Sequence, residues 1–365
     1  MSLALAERPQ IDALSSIRTY VQSELPPLVD AIDKGQIYPA DFMRGLGAQG
    51  AFNGHADISK PDLNRSIDAM AEVSEVCGAS GFMAWCQAAL VWYIANTDND
   101  VLKSKLLAKT ASAQILGGTG LSNPMKSFFG IEKMKLKGKR VEGGYVVNGS
   151  LPWVSNLGPD HYFGTICDLD GGQTMMFVAN CADPALKLLD CDAFLAMDGT
   201  GTYGLQFKDV FIPDALVLAH DAAPFVKKIR AGFILLQAGM ATGIIRDCIN
   251  LMQRTKSQLG HVNSYLTAQQ PEDFAAILDT LDTEVRTLAA TPYEESQSYW
   301  RRVVTVRLEA GDATMAAAHA TMLHTGARGY MMSHRAQRRM REAYFVGIVT
   351  PATKQLRKML AEMPA

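Results

Sequence analysis

The stretch MKLKGKRVEGGYVVNGSLPWVSN, residues 134–156, decides the fold because it has the pattern of a β-hairpin in an otherwise helical chain. Apolar and polar residues alternate along it, as in a strand with one buried face. Gly143-Gly144 predicts a turn, and Asn148-Gly149 predicts a second one. The segment ends in Trp153-Val154-Ser155. We therefore expect a small sheet between helical blocks, with Trp153 as a wall for a flat cofactor.

Composition narrows the class of protein to which this hairpin belongs. The chain has 365 residues, of which 48% are hydrophobic and 20% charged, as is usual for a soluble globular protein of two or three domains. The net charge of −2 gives no overall field that would recruit nucleic acid or an anionic membrane surface. Small molecules and other proteins are the expected partners.

Six scattered cysteines without a CxxC motif predict reduced thiols. The chain opens MSLALAERPQ, which lacks the basic region, apolar core and cleavage site of a signal peptide, so we expect a cytoplasmic protein. The most apolar window, residues 231–252, contains Gln237, Arg246 and Asp247, which a lipid-facing helix would not readily tolerate. This window therefore predicts a buried core helix and no membrane span.

Hydrophobic periodicity divides the chain into three blocks. Residues 1–113 predict a helical domain that begins near Ile11, residues 114–220 a β-domain, and residues 221–365 a second helical domain. Strands confined to the middle of the chain exclude a doubly wound nucleotide-binding fold, in which strands alternate with helices throughout. The fold class is therefore mainly α with a central β-domain.

The short motifs in the sequence that suggest phosphate binding have simpler structural interpretations, and the usual metal and hydrolase motifs are missing. Residues 199–204, GTGTYG, match GxGxxG, but a strand-like segment follows them where a phosphate-binding helix is required, so we expect a turn between strands. No HExxH or GxSxG is present, and neither a metal centre nor a serine hydrolase is expected. The basic run from His334 to Arg341 places Arg338 and Arg341 on one helical face, which leaves open a solvated charged helix or a phosphate-binding patch.

Five segments, in their order and spacing, resemble the acyl-CoA dehydrogenase superfamily of flavoproteins. GGTGLSNP, residues 117–124, resembles the flavin-contacting loop, and Trp153-Val154-Ser155 resembles the Trp-Ile-Thr that ends the family's hairpin. Residues 197–218 resemble its exit strand. Residues 309–330 resemble a helix and glycine-rich turn that touch the cofactor of a neighbouring subunit, and the following run through Arg341 resembles the Arg-Asp-Ala segment.

The resemblance implies an N-terminal helical domain, a β-barrel-like middle domain and a C-terminal four-helix bundle. It also implies FAD, or alternatively FMN or reduced flavin as a co-substrate, and a homotetramer or homodimer. Trp153 would lie against the isoalloxazine ring, and the hydroxyls of Ser122 and Ser155 would bond its polar edge. The complete set of implied cofactor-binding residues is Leu121, Ser122, Trp153, Ser155, Lys256, Gly326 and Gly329.

The dehydrogenation that the resemblance implies uses a glutamate as its base. Thr350 stands where the family carries this catalytic glutamate. A threonine hydroxyl does not act as a base at neutral pH unless another base activates it. The alternative carboxylate on the first long C-terminal helix is missing as well, because no Asp or Glu lies between Asp221 and Asp247. Phe128 and Phe129 replace small residues of the thioester-contacting loop, so we expect them to narrow or redirect a substrate tunnel.

Three functions stay open on the sequence. The first is an FAD-dependent dehydrogenase or oxidase acting on an acyl-CoA or a related small substrate, with an electron-transfer flavoprotein as a partner. The second is a flavin monooxygenase of the same superfamily, supplied by a flavin reductase. In that enzyme His334 could lie near the reacting centre, but a packed or solvent-facing histidine is the simpler interpretation. The third is a non-catalytic relative that keeps the fold. The catalytic residues are not assigned.

Overall fold

The computed structural model describes residues 13–363. The expected absence of a signal peptide and the predicted helix start at Ile11 lie outside these residues. The N-terminal block forms six α-helices: α1 Ala13–Glu24, α2 Val29–Asp33, α3 Ala40–Ala48, α4 Leu63–Val76, α5 Gly78–Asn96 and α6 Asp100–Ala111. Asp62 and Asn99 cap α4 and α6 by accepting hydrogen bonds from backbone N–H groups of the first turn.

The middle block forms one eight-stranded sheet and a short helix, which follows the first strand. In chain order they are β1 Gly117–Thr119, α7 Ser122–Phe128, β2 Leu136–Val141, β3 Gly144–Val154, β4 Tyr162–Asp168, β5 Thr174–Asn180, β6 Leu186–Leu189, β7 Tyr203–Pro213 and β8 Val217–Ala219. The strand order is β6-β7-β3-β2-β4-β5-β8, and β1 pairs with β4 beside this path. Inward-facing apolar residues of β2 to β8 form a core of their own.

The C-terminal block forms six more helices: α8 Ala222–Leu235, α9 Ala238–Asn263, α10 Pro271–Ala289, α11 Gln297–Gly329, α12 Arg335–Ile348 and α13 Thr353–Glu362. Helix α9 packs against α10, α11 and α12, and α11 also packs against α10 and α12, which gives the expected four-helix bundle. The predicted fold class is confirmed. Helices of the first and last blocks share one hydrophobic core, so the domain boundaries near residues 113 and 220 stay predictions.

The hairpin is confirmed with one correction. Strands β2 and β3 pair antiparallel around a turn at Gly143, whose φ of 73° favours glycine. The second predicted turn, at Asn148-Gly149, is wrong, because β3 continues through it to Val154. Gly149 has a φ of 130° and marks a shift in the register with β7, so it is a bulge within a long strand.

The apolar stretch Ala222–Asn263 is long and apolar enough to cross a membrane, yet 94% of its most apolar window is buried within the protein. This burial fits the core helix expected for residues 231–252. Helix α5 is buried along its whole length, as its uniformly apolar sequence requires. All six cysteines are free thiols, as predicted.

Arg338 and Arg339 of α12 belong to a buried ion cluster, so neither interpretation of the basic run holds for these two residues. Arg339 is fully buried and lies 2.5 Å from Asp247 and 2.6 Å from Glu342. Arg338 pairs with Glu342 and donates to the Val76 carbonyl. Burial raises the pKa of Glu342, but the charges of Arg339 and Arg338 outweigh it and lower that pKa. The cluster fixes α12, which forms one wall of the site below.

His55 makes the stability of the N-terminal helices depend on pH. Its ring nitrogens lie 2.8 Å from Ser66 Oγ and 2.9 Å from the Ala88 carbonyl oxygen, and burial lowers its pKa from 6.5 to about 4. Between these values the unfolded chain binds a proton that the folded chain does not. The free energy of unfolding therefore falls as pH falls through this window, by about 3 kcal/mol at its lower end.

We expect the variant His55→Gln to lose this pH dependence. Urea titrations of both proteins at pH 7 and pH 4.5 measure the change in free energy of unfolding. The wild-type protein should lose about 2–3 kcal/mol more than the variant between the two conditions. Equal losses would show that His55 does not carry the effect.

Candidate active site

A cavity of about 420 Å³ lies where the three blocks meet. Helix α5 contributes Phe82 and Trp85, and α8 contributes Phe233. The end of α12 and the segment after it contribute a wall from Arg341 to Thr350. The remaining lining residues come from the middle block: Thr119, Leu121, Ser122, Lys126, Trp153, Ser155, Phe194, Leu195, Ala196, Met197 and Thr202. The volume is within the range of sites for small molecules and cofactors.

Four of the predicted cofactor residues meet in this cavity: Leu121, Ser122, Trp153 and Ser155. Trp153 lies on the outward face of β3, because the alternation of the strand turns Val154 into the core. Its side chain is 59% exposed, so the indole face is available to a flat ligand. An apolar plane with hydroxyl groups beside it suits an isoalloxazine ring, which has a flat body and a polar edge.

The other three predicted cofactor residues do not line the cavity. Lys256 is exposed near the end of α9 and pairs with Glu272 on α10. Gly326 is exposed and has a φ of 58°, and a Cβ at the buried Gly329 would lie 1.9 Å from Thr325 Oγ1. The assignment of Gly326 and Gly329 to the cofactor of a neighbouring subunit, and of Lys256 to the pyrophosphate, stays a prediction.

Thr350 faces the cavity and has two polar contacts. Its hydroxyl oxygen lies 2.9 Å from Ser122 Oγ, and its carbonyl accepts a 2.8 Å hydrogen bond from Gln237 Nε2. Gln237 Oε1 in turn accepts a 2.6 Å hydrogen bond from the buried Arg307, which also donates to the Val346 carbonyl. Burial lowers the pKa of Arg307 to about 10, so its guanidinium stays charged at neutral pH.

Sequence reasoning missed the supporting roles of Gln237 and Arg307. The available signal was weak: Gln237 is a polar residue in the turn between α8 and α9, Arg307 lies within α11, and the neighbours of each in sequence are mostly apolar. They hold the backbone of Thr350 from behind, where no motif points to them. Buried polar groups that bond each other in this way fix one local arrangement.

The residues that line the cavity include no aspartate, glutamate or histidine. The two positively charged side chains that line the cavity already form ion pairs. Arg341 pairs with Asp33 at 2.5 Å and donates to the Leu195 carbonyl, and Lys126 lies 3.2 Å from Glu132. A carboxylate base is thus missing from these walls, as the sequence at Thr350 indicates.

The expectation that Phe128 and Phe129 shape the cavity is wrong, and His334 has a structural role. His334 does not line the cavity, because its Nδ1 accepts the N–H of Ala336 and so caps the start of α12. Phe128 and Phe129 do not line it either, since Phe128 projects outward at the end of α7 and Phe129 packs against the helical core. Lys126 is the member of that segment that reaches the cavity.

The glycine-rich residues 199–204 form a turn before β7, as predicted, and they deliver hydroxyls to the cavity. Ser155 Oγ lies 2.6 Å from Thr202 Oγ1, which lies 2.8 Å from Thr200 Oγ1. Thr200 Oγ1 donates a 2.7 Å hydrogen bond to the Met197 carbonyl. Backbone bonds from Asn156 and Leu157 to this turn keep it against the end of β3.

Known proteins resemble this chain in the sequence of the N-terminal block and in the fold of the whole chain. Residues 9–114 match the family model "Acyl-CoA dehydrogenase, N-terminal domain". Mitochondrial isovaleryl-CoA dehydrogenase of Oryza sativa subsp. japonica is 26% identical over 220 residues, which cover 56% of this chain. The matched region is 53% of that relative, so the match spans about half its length.

Solved structures resemble the chain from end to end. The butyryl-CoA dehydrogenase of Megasphaera elsdenii superposes with a TM-score of 0.86 at 17% identity, over 99% of both chains. A structure described as the FAD complex of PigA superposes with a TM-score of 0.81 at 12% identity, over 99% of this chain and 98% of that one. The family match covers only the N-terminal block, and the likeness to solved structures shows that the chain as a whole has the acyl-CoA dehydrogenase fold.

Proposed function

We propose that the chain is an FAD-dependent oxidoreductase that acts on an acyl thioester or a related small substrate without a carboxylate base at position 350. The observation that carries this proposal is the single cavity in which Leu121, Ser122, Trp153 and Ser155 meet Thr350. Trp153 offers a flat face for the isoalloxazine ring, and the apolar side chains of α5 and α8 leave room for an acyl group. When bound, the flavin supplies hydride acceptance and, in its reduced form, reaction with oxygen.

The hydroxyl pair of Ser122 and Thr350 is suited to orienting a ligand. One of the two protons lies between the oxygens, which are 2.9 Å apart, and the other is free to be donated into the cavity. A thioester carbonyl or another acceptor would take that proton. Gln237 and Arg307 keep the Thr350 backbone in place, so these residues bind and orient but do not remove a proton.

The positions of Lys256, Gly326 and Gly329 support an assembly of two or four copies. These residues are outside the cavity, and the resemblance assigns Gly326 and Gly329 to the cofactor of a neighbouring subunit and Lys256 to the pyrophosphate. In such an assembly each FAD would be held by residues of two chains. An electron-transfer flavoprotein would accept the electrons if the reaction is a dehydrogenation.

A flavin monooxygenase is the second candidate, and the composition of the cavity walls favours it. They include aromatic residues Phe82, Trp85, Phe233, Tyr344 and Phe345 but no Asp, Glu or His. A monooxygenase that receives reduced flavin from a reductase does not need a base at position 350. An aromatic small molecule would suit these walls.

Spectroscopy of the purified protein separates these functions. We expect oxidised FAD to bind and show the visible absorption of a flavoprotein, and we expect anaerobic addition of one member of an acyl-CoA panel to bleach it. If no acyl-CoA bleaches the flavin but reduced flavin binds and oxygen is consumed with an aromatic substrate, the monooxygenase is supported. A protein that binds neither oxidised nor reduced flavin would contradict both enzymes and leave the non-catalytic relative.

A further inference from the structure

Three hydroxyl groups lead from the cavity into the protein and end on a backbone carbonyl. Ser155 and Thr202 line the cavity, and Thr200 is fully buried behind them. Successive oxygens are 2.6 and 2.8 Å apart, and the last bond, from Thr200 to the Met197 carbonyl, is 2.7 Å long. All three contacts are within the range of O–H···O hydrogen bonds.

The carbonyl at the inner end sets the direction of every bond in this chain of hydroxyls. A carbonyl oxygen only accepts, so Thr200 donates its single proton to Met197. Thr200 must then accept from Thr202, and Thr202 must accept from Ser155. The proton of Ser155 is thereby directed away from the cavity. Ser155 Oγ therefore presents only lone pairs to a bound ligand. If the three hydroxyls donated in the opposite direction, the hydrogen bond from Thr200 to the Met197 carbonyl would be lost.

We propose that Thr200 and Thr202 act as positioning residues that make Ser155 a hydrogen-bond acceptor for the N5 position of a bound flavin, so that the site binds reduced flavin more tightly than oxidised flavin. The polar edge of the oxidised ring has a bare nitrogen at N5, which accepts a hydrogen bond. The reduced ring carries a hydrogen there and donates. An acceptor at Ser155 therefore matches the reduced form, and this inference rests on the proposed binding of flavin beside Trp153.

The variant Thr200→Val tests the proposal, because valine has nearly the same shape and no hydroxyl. Without its acceptor, Thr202 turns to donate to Ser155, which frees the Ser155 proton for the cavity and favours the oxidised ring. The measurement is the dissociation constant of oxidised FAD, and of dithionite-reduced FAD under anaerobic conditions. We expect the ratio of the oxidised to the reduced constant to fall roughly tenfold, which lowers the two-electron reduction potential by about 30 mV.

Two control variants separate this effect from a general disturbance of packing. Thr200→Ser keeps the hydroxyl and should keep the wild-type ratio. Thr314→Val replaces an equally buried threonine of α11 whose hydroxyl bonds only within its own helix, and it should also keep the ratio. If Thr200→Val does not fold, Thr202→Val interrupts the same chain and should shift the ratio in the same direction.

The outcomes distinguish this inference from the proposed function. Tight binding of FAD with an unchanged ratio in a folded Thr200→Val or Thr202→Val overturns the inference alone. A shift of the same size in Thr314→Val overturns it as well. If the wild-type protein binds neither form of FAD, the proposed function and the inference fall together.

Discussion

Replacing Trp153 with alanine is expected to weaken FAD binding roughly thirtyfold, while the fold stays as stable as before. The indole is 59% exposed at the end of β3, so its removal leaves no internal cavity. A flat ring that covers this face buries apolar surface and stacks on an aromatic system. Together these contributions are worth about 2 kcal/mol, which corresponds to the stated change in Kd.

The matched control is Phe211→Ala, because Phe211 is also an exposed aromatic residue of the sheet, 46% accessible on β7, but does not line the cavity. Fluorescence titration of the apoprotein with FAD measures Kd for the wild-type protein and both variants. Urea titration measures their free energies of unfolding. A Trp153→Ala protein that binds FAD like the wild type would show that the ring lies elsewhere.

Replacing Glu342 with glutamine is expected to destabilise the protein by about 3–5 kcal/mol. The substitution keeps the shape of the side chain but removes the negative charge that two buried arginines share, Arg338 at 3.6 Å and Arg339 at 2.6 Å. A buried charge that loses its partner retains the cost of its desolvation without the compensating attraction. Arg339 keeps Asp247, so the loss is severe but need not prevent folding.

Glu284→Gln is the control for this second prediction, since Glu284 pairs with Arg302 at the exposed surface of α10 and α11. An exposed pair contributes less than about 1 kcal/mol, so this variant should unfold nearly like the wild-type protein. Thermal and urea unfolding of the three proteins at pH 7 give the comparison. Similar stabilities for both variants would mean that water reaches the ion cluster and screens it.

The sequence was sufficient to predict the part of the site that depends on local pattern. Alternation along β3 indicates that Trp153 and Val154 face opposite sides, and the resemblance implies that Ser122 and Ser155 lie beside Trp153. Thr350 lines the same cavity, although 228 positions separate it from Ser122. The bulge at Gly149 was misread because a strand glycine and a turn glycine share the same short sequence signal.

The supporting contacts were beyond prediction because their partners are distant in sequence. Gln237 and Arg307 are 70 positions apart, and each alone resembles an isolated polar residue in a helix. Arg339 and Asp247 are 92 positions apart, so a run of arginines gave no sign that its charges are neutralised inside the protein. Which buried polar groups pair depends on how the helices cross, and hydrophobic periodicity does not determine that.

The core shared by the first and last blocks has a consequence for how the protein is made. Helix α5 leaves the ribosome early, but residues that cover it, such as Phe233 on α8 and Phe345 on α12, are synthesised about 150 and 260 residues later. Until then the face of α5 that these residues cover has no native partner, although its other faces pack against α4, α6 and β1, and contacts so distant in sequence form slowly. A nascent chain therefore exposes this apolar face until most of the protein has been synthesised, which favours aggregation before the last block folds.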